Sequence, residues 1–216
     1  MSDKEDRRIV LNFYESLLRK SDVALLEPGQ WLNDNLIGFM FEYFEHVEFR
    51  DGSKDLLFLS PGVTQLIKLT RGVELMAILE PLNLPKYQRV FFAVNNNEAK
   101  MSTGGSHWSL LVYCKRSNIF SHYDSLSEAN SNAAKELANQ VGLILKDPGP
   151  SYEEALCPQQ ENGSDCGVYV IGITEHLCKQ CTGETTVKLI DAVTPAAIAR
   201  RRQQMKELIV KLAKAS

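Results

Sequence analysis

Pro158-Gln159-Gln160-Glu161-Asn162-Gly163-Ser164-Asp165-Cys166-Gly167-Val168-Tyr169-Val170 is a polar, glycine-containing turn that runs through a cysteine into an apolar stretch. The apolar composition continues to Cys178 and predicts a buried helix over 167–178, which puts Cys166 where a turn meets a helix N-terminus. Only a thiolate attacks carbonyl carbon. Unpaired amides at a helix N-terminus, together with a nearby imidazolium, lower a thiol pKa from its usual ~8.5 by several units. Gly167 would let backbone or substrate come close. Against this stands a plainer reading, that Cys166 is a small buried hydrophobe, since free cysteine is among the most buried residue types.

Outward from that helix the chain changes character. Arg89–Val94, His107–Cys114 and Ile119–Tyr123 are short, rich in Val, Phe, Tyr and Leu, and separated by turn residues, so they read as strands, with Tyr152–Cys157 as one more. Further upstream, Asn33-Asp34 precedes Leu36, Ile37, Met40, Phe41, Phe44 and Val47 at helical spacing, with the Asn or the Asp side chain available as the cap. Ser60-Pro61 opens a second helix with Val63, Leu66 and Ile67 on one face, and Gly72–Glu80 forms a third, closed by Pro81. Asn130–Leu145 returns to helical spacing, and Thr194-Pro195 starts an amphipathic helix that runs to about Lys214. Helices, then strands, then helices predict an α+β fold with a mainly central sheet rather than alternating βαβ units. No repeat, low-complexity stretch or linker interrupts the chain, so the expectation is one domain over 1–216.

The 216 residues are 44% hydrophobic and 24% charged, which excludes disorder, collagen and disulfide-scaffold classes. A net charge of −3 supplies no basic field for nucleic acid or anionic lipid. No apolar run approaches the ~18 residues of a membrane span. The charged run Asp3–Arg8 stands where a secretory signal would need an apolar core, so the expected setting is cytoplasm or nucleus. Five cysteines, an odd count, all lie in the second half, and in a reducing compartment they are core, ligand or nucleophile rather than a disulfide framework. Arg200-Arg201-Arg202 reads as a solvated helix face, with nuclear targeting left open.

Gly104-Gly105-Ser106-His107-Trp108 opens one strand and His122-Tyr123-Asp124-Ser125 closes the next. An antiparallel hairpin turning near Ser117-Asn118 brings His107 and Asp124 to the same sheet end. Cysteine catalysis needs a base that takes the thiol proton and an acceptor that orients the base, and these two residues suit those roles. A Cys, a His and an Asp in one chain are by themselves weak evidence.

Four motifs in order add to this: Trp31-Leu32-Asn33-Asp34, the run from Gly104 to Tyr113, His122 to Ser125, and Pro158 to Val170. Together they resemble the Ulp/SENP cysteine peptidases, and the similarity to the short deneddylase branch extends to Ser16–Arg19, Ser21–Val23, Phe41–Phe44, Pro61–Lys68 and Leu79–Pro85. The resemblance implies an adenain-like, papain-like fold and hydrolysis after the Gly-Gly end of a ubiquitin-like modifier, with no cofactor and no metal. It implies that Cys166 is the nucleophile, His107 the base, Asp124 its orienting acceptor, and Gln160, six residues before the nucleophile, an oxyanion donor with Gln159 as fallback. Trp31 and Trp108 are implied as walls of a narrow diglycine tunnel. Asp34 reads first as a helix cap and second as a contact for basic residues of the modifier tail. The implied substrate is the neddylation modifier, as precursor and on conjugates such as cullins, handled by a monomer. The Asn162-Gly163-Ser164 turn looks more like desumoylating members, so SUMO stands as the alternative modifier, and a non-catalytic ubiquitin-like-protein binding module as the rival from another class.

Two features stand outside that pattern. His176, Cys178 and Cys181 form H-x-C-x-x-C, but a structural zinc site wants a fourth ligand and usually a second paired spacing. Asn95–Ser106, with glycines directly before His107, reads as a mobile loop that could order over a bound modifier or as a tolerated surface loop.

Overall fold

A computed structural model describes residues 8–52, 54–99, 104–145 and 148–215. The charged run Asp3–Arg8, apart from Arg8, lies outside the described residues, as does the tip of the 95–106 loop. The chain opens with an antiparallel hairpin, β1 (Ile9–Phe13) and β2 (Ser16–Arg19), and a short helix α1 (Lys20–Ala24), none of which the apolar periodicity marks. Helix α2 (Asp34–Tyr43) follows the expected pattern but loosens into a π-helical turn over Phe44–Glu48. Its cap is Asn33, whose side chain accepts from the Leu36 amide at 3.1 Å, so Asp34 is the first helical residue and not the cap.

The five-stranded sheet runs β3 (Leu56–Leu59), β4 (Arg89–Asn95), β5 (Trp108–Cys114), β6 (Ile119–Tyr123), β7 (Ser151–Glu154) in spatial order. Its centre, β4-β5-β6, is antiparallel, while both edge strands pair in parallel. A parallel neighbour needs a crossover. Helices α3 (Pro61–Leu69) and α4 (Gly72–Leu82) carry the chain from β3 to β4, and α5 (Ser131–Gly142) carries it from β6 to β7. The sheet is thus antiparallel at heart with a β-helix-β unit at each edge, where the order of elements predicted none. The short, unalternating β3 concealed the first of these.

The sheet buries both faces. Phe91, Ala93, Leu110 and Val112 point to one side, against α2, α6 (Cys166–Thr182) and α8 (Pro195–Ala215). Val90, Phe92, Val94, Leu111 and Phe120 point to the other, with residues of α4 and α5. This is the period-two alternation of strands covered on both sides. Helix α6 is enclosed all round from Cys166 to Cys178, as a continuous apolar pattern requires. A last short helix, α7 (Leu189–Ala192), links it to α8.

Two helices depart from their expected faces. On α3 the inward residues are Pro61, Thr64, Ile67 and Lys68, while Leu66 is half exposed. The buried Lys68 amine donates to the carbonyls of Asn95 and Asn97, so backbone acceptors satisfy a charged head that hydropathy alone would turn outward. On α4, Pro81 sits inside the last turn, and the helix ends instead at Asn83 in a left-handed conformation (φ 48°).

Candidate active site

The register of β5 and β6 sets the site. Leu110 lies opposite Tyr123, so the residue entering β5, His107, and the residue leaving β6, Asp124, meet at one sheet end. There His107 Nε2 bonds Asp124 Oδ1 at 2.6 Å, with both side chains nearly inaccessible. Asp124 is itself over-determined. Its Oδ1 also accepts from the Leu126 amide at 2.9 Å, and its Oδ2 accepts from the Asn130 amide at 2.8 Å. Burial opposes its charge, yet these bonds from His107, Asn130 and Leu126 hold the carboxyl below its ordinary value.

Cys166 stands at the first position of α6, buried, and its side chain lies near enough to His107 to act on the imidazole. Nε2 is committed to Asp124, which leaves Nδ1 as the ring nitrogen available to the thiol. Burial alone would depress His107, but hydrogen bonds to Asp124 and Cys166 and the charges of both outweigh it and raise the pKa to about 9. His107 is therefore protonated at neutral pH, an imidazolium held between the Asp124 carboxylate and the Cys166 side chain.

His107 and Cys166 line a cleft of about 840 Å3 together with Trp31, Asp34, Gly105 and Trp108, with Asp124 behind the imidazole. Trp31 is half exposed on the cleft rather than filling core. Trp108 is tied to the opposite wall, its Nε1 donating to the Leu32 carbonyl at 3.1 Å. Leu32 in turn packs on the start of α6: a Cβ at Gly167 would stand 3.0 Å from the Leu32 Cβ. The close approach expected at Gly167 is made by the protein's own tryptophan loop. Asp34 is exposed at the cleft rim.

The two glutamines separate. Gln159 braces the turn after β6, accepting from the Ser127 amide at 2.8 Å and donating to the carbonyls of Asp124 (2.9 Å) and Cys157 (3.0 Å). Gln160 accepts from the Ser125 hydroxyl at 2.8 Å and donates one amide hydrogen to the Asn162 carbonyl at 2.6 Å. The H-x-C-x-x-C residues are used otherwise: His176 Nε2 donates to the Val187 carbonyl at 3.1 Å, Cys178 is fully buried with its thiol pushed up by burial, and Cys181 is exposed.

Sequence reasoning gave no role to Asn130 or His122. The buried Asn130 amide donates to the carbonyls of Val94 (3.2 Å) and His107 (3.3 Å) and to Ser109 Oγ (3.1 Å). Ser109 bonds His122 Nε2 at 2.9 Å, and His122 Nδ1 bonds Glu154 at 2.6 Å. A polar chain thus runs beneath the sheet end from Asp124 to β7. The available signal was the alternation of β6, which puts His122 on a buried face where an imidazole must find partners.

Comparison with known proteins agrees with this geometry. The Ulp1 protease family, C-terminal catalytic domain, matches residues 84–214. Sentrin-specific protease 8 of Homo sapiens is 46% identical over 209 residues, covering 95% of this chain and 98% of that protein. NEDD8-specific protease 1 of Arabidopsis thaliana is 32% identical over 182 residues, covering 83% and 79%. The structure of the yeast Ulp1 C-terminal protease domain in complex with Smt3, the yeast orthologue of SUMO, superposes with a TM-score of 0.73 over 99% of this chain and 96% of that one; at 20% identity it speaks for the fold. With Cys166, His107 and Asp124 gathered at one sheet end, a family model matched over most of the chain and a relative this similar over nearly its whole length, the chain belongs to the Ulp1 protease family.

Proposed function

We propose that this protein is a cysteine peptidase that cleaves after the C-terminal Gly-Gly of a NEDD8-like modifier, both trimming the precursor and releasing the modifier from lysine. The observation that carries the reading is that Cys166 and His107, the latter bonded to Asp124, line one cleft with two tryptophans. Flat aromatic walls admit residues without a Cβ and reject larger ones. The relatives' names, Sentrin-specific protease 8 and NEDD8-specific protease 1, favour the NEDD8 type of modifier over SUMO.

In this reading the Cys166 thiolate attacks the glycine carbonyl, and His107 protonates the leaving amine. His107 then takes a proton from the water that hydrolyses the thioester. Asp124 keeps the ring oriented throughout. The oxyanion is met by the backbone amide of Cys166 and by the Gln160 side-chain hydrogen that Asn162 leaves uncommitted, an amide nitrogen carrying two. Such a donor is worth roughly 3 kcal/mol in a comparable hole. Asp34, on the rim, suits a basic residue of the modifier tail. The proposed setting is cytoplasm or nucleus, as a monomer acting on conjugates such as cullins.

The test is reaction with electrophilic C-terminal probes built on NEDD8, SUMO and ubiquitin, with Cys166→Ala as control. Labelling by the NEDD8 probe, lost in Cys166→Ala while that variant still binds the modifier, is expected. Preferential labelling by the SUMO probe would replace the modifier assigned here. No labelling by any probe would overturn the enzymatic reading in favour of a binding module.

A further inference from the structure

The three consecutive arginines of α8 do not share one environment. Arg200 is exposed, Arg201 pairs with Glu175, and Arg202 is buried, with its side chain 6% accessible. The solvated face expected from the charge run is wrong for Arg202 because its partners are backbone carbonyls and a carboxylate from distant segments. Its Nε and Nη2 both bond Asp165 Oδ1, at 2.9 and 2.6 Å. Nη2 also reaches the carbonyls of Ser164 (3.1 Å) and Gln30 (2.7 Å), and Nη1 those of Leu25 (2.9 Å) and Glu27 (3.4 Å). One guanidinium therefore joins the turn that presents Cys166 to the loop that presents Trp31.

What Asp165 does not do is equally informative. It is the residue preceding α6, where an aspartate ordinarily accepts from the first-turn amides, yet it makes no side-chain cap bond. Its Oδ1 is taken by Arg202 and its Oδ2 by the Asn162 side chain at 2.8 Å. A carboxylate folded onto the helix start would occupy amides in the turn that carries Cys166 and place a negative charge beside the thiolate and the developing oxyanion. Arg202 draws it the other way.

We infer that Arg202 is a positioning residue: it keeps the Asp165 carboxylate off the N-terminus of α6, leaving those amides to the nucleophile and the oxyanion, and fixes the Trp31 loop against the same helix end. This rests on Cys166 being the nucleophile. The role needs the planar fork, which a lysine cannot reproduce.

The test compares Arg202→Met, Arg202→Lys, the double variant Arg202→Met with Asp165→Ala, and Arg201→Met as a control from the same helix, on a fluorogenic Gly-Gly modifier substrate. Folded fraction is followed by circular dichroism. Arg202→Met should lower kcat on the order of 100-fold per folded molecule, the scale of a displaced reacting group. Arg201→Met should keep the parent kcat. Removing the Asp165 carboxylate in the Arg202→Met background should recover part of the lost kcat and of the rate at which iodoacetamide alkylates Cys166 at neutral pH, which a purely structural arginine would not allow. If Arg202→Met does not fold, Arg202→Lys with and without Asp165→Ala carries the same comparison. A folded Arg202 variant within threefold of the parent kcat, or no recovery in the double variant, overturns the inference and leaves Cys166 as nucleophile. A parent protein inert to the Gly-Gly substrate overturns both.

Discussion

Replacing Asp124 by asparagine changes almost no volume and reverses the hydrogen-bond arithmetic of the site. The carboxylate accepts three bonds, two at Oδ1 and one at Oδ2, in a position 1% accessible. An amide offers one acceptor oxygen and one NH2 group. With the oxygen kept toward His107 and Leu126, the NH2 faces the Asn130 amide, donor against donor, at about 1–3 kcal/mol for the unsatisfied pair. The His107 bond survives in that orientation but loses its charge assistance, about 1.5–3 kcal/mol, which corresponds to roughly 10- to 150-fold in rate. With the amide turned the other way, His107 Nε2 must accept, its Nδ1 keeps a hydrogen, and the ring cannot take the thiol proton. That wrong-tautomer situation costs about 10^4-fold in the serine-protease triad. Asp124→Asn should therefore remain folded, lose about 2 kcal/mol of stability, and lose between roughly 10- and 10^4-fold in kcat on a Gly-Gly modifier substrate. Steady-state hydrolysis with denaturant melts on the same preparation measures both. Since the attraction of Asp124 is gone, the His107 limb of the pH–rate profile should also move down from about 9. A folded Asp124→Asn protein hydrolysing within threefold of the parent rate would refute the coupling of Asp124 to His107.

The raised His107 value sets a pH window. Hydrolysis should fall as pH rises through about 9, where the ring loses the proton owed to the leaving amine, while alkylation of Cys166 does not fall; a parallel decline would refute this. The same group contributes stability present below its ordinary value of 6.5 and lost as pH rises through about 9, whereas the depressed Asp124 contributes stability present above its ordinary value of 3.8 and lost as pH falls below it; denaturant melts across both limbs check the signs. Gly167→Ala should gain about 1 kcal/mol in helix propensity and lose more than that. The new Cβ would stand 3.0 Å from the Cβ of the buried Leu32, tighter than ordinary contact, so Leu32 must shift; lower stability and lower kcat/KM are expected together, and a stabilised, fully active variant would contradict the packing. Trp108→Phe keeps an aromatic wall but leaves the Leu32 carbonyl without its 3.1 Å donor, a loss of about 1 kcal/mol; KM for the Gly-Gly substrate should rise several-fold with kcat less affected, and an unchanged KM would remove Trp108 from the wall.

Most of the helices and the central strands were legible because each buries a face whose period is local. The hairpin of β5 and β6, and with it the meeting of His107 and Asp124, follows from strand length and a turn at Asn118, which adopts a left-handed conformation (φ 53°). What stayed hidden depends on partners far along the chain. The four-residue β3 went unmarked, and β7, read as a strand over 152–157, has a parallel pairing that only the crossover through α5 sets. Lys68 and Arg202 are charged residues whose acceptors are mostly backbone carbonyls, and a carbonyl has no sequence signature. Asn33 and Asp34 are equally good caps by type, and geometry chose Asn33. Cys166 was ambiguous between core and nucleophile, and it is buried in fact; what distinguishes it from Cys178, also buried and also on α6, is the imidazole at its side.

The absence of a Cβ works on both sides of the cleft. Gly167 lets Leu32 close onto the first turn of α6, and the Leu32 carbonyl then receives the Trp108 indole, so the loop bearing one tryptophan is bonded to the strand bearing the other. The spacing of the two tryptophans is thereby tied to the Leu32 side chain resting on glycine backbone and to one indole hydrogen bond. In the proposed function, where these tryptophans wall the substrate's diglycine, the cleft cannot widen for a larger residue without breaking the Trp108 bond or lifting Leu32 from the helix that carries Cys166. Under the reading proposed here, selectivity for glycine and placement of the nucleophile are therefore one structural property: a residue with a Cβ that forced the walls apart would also disturb the helix start on which its own cleavage depends.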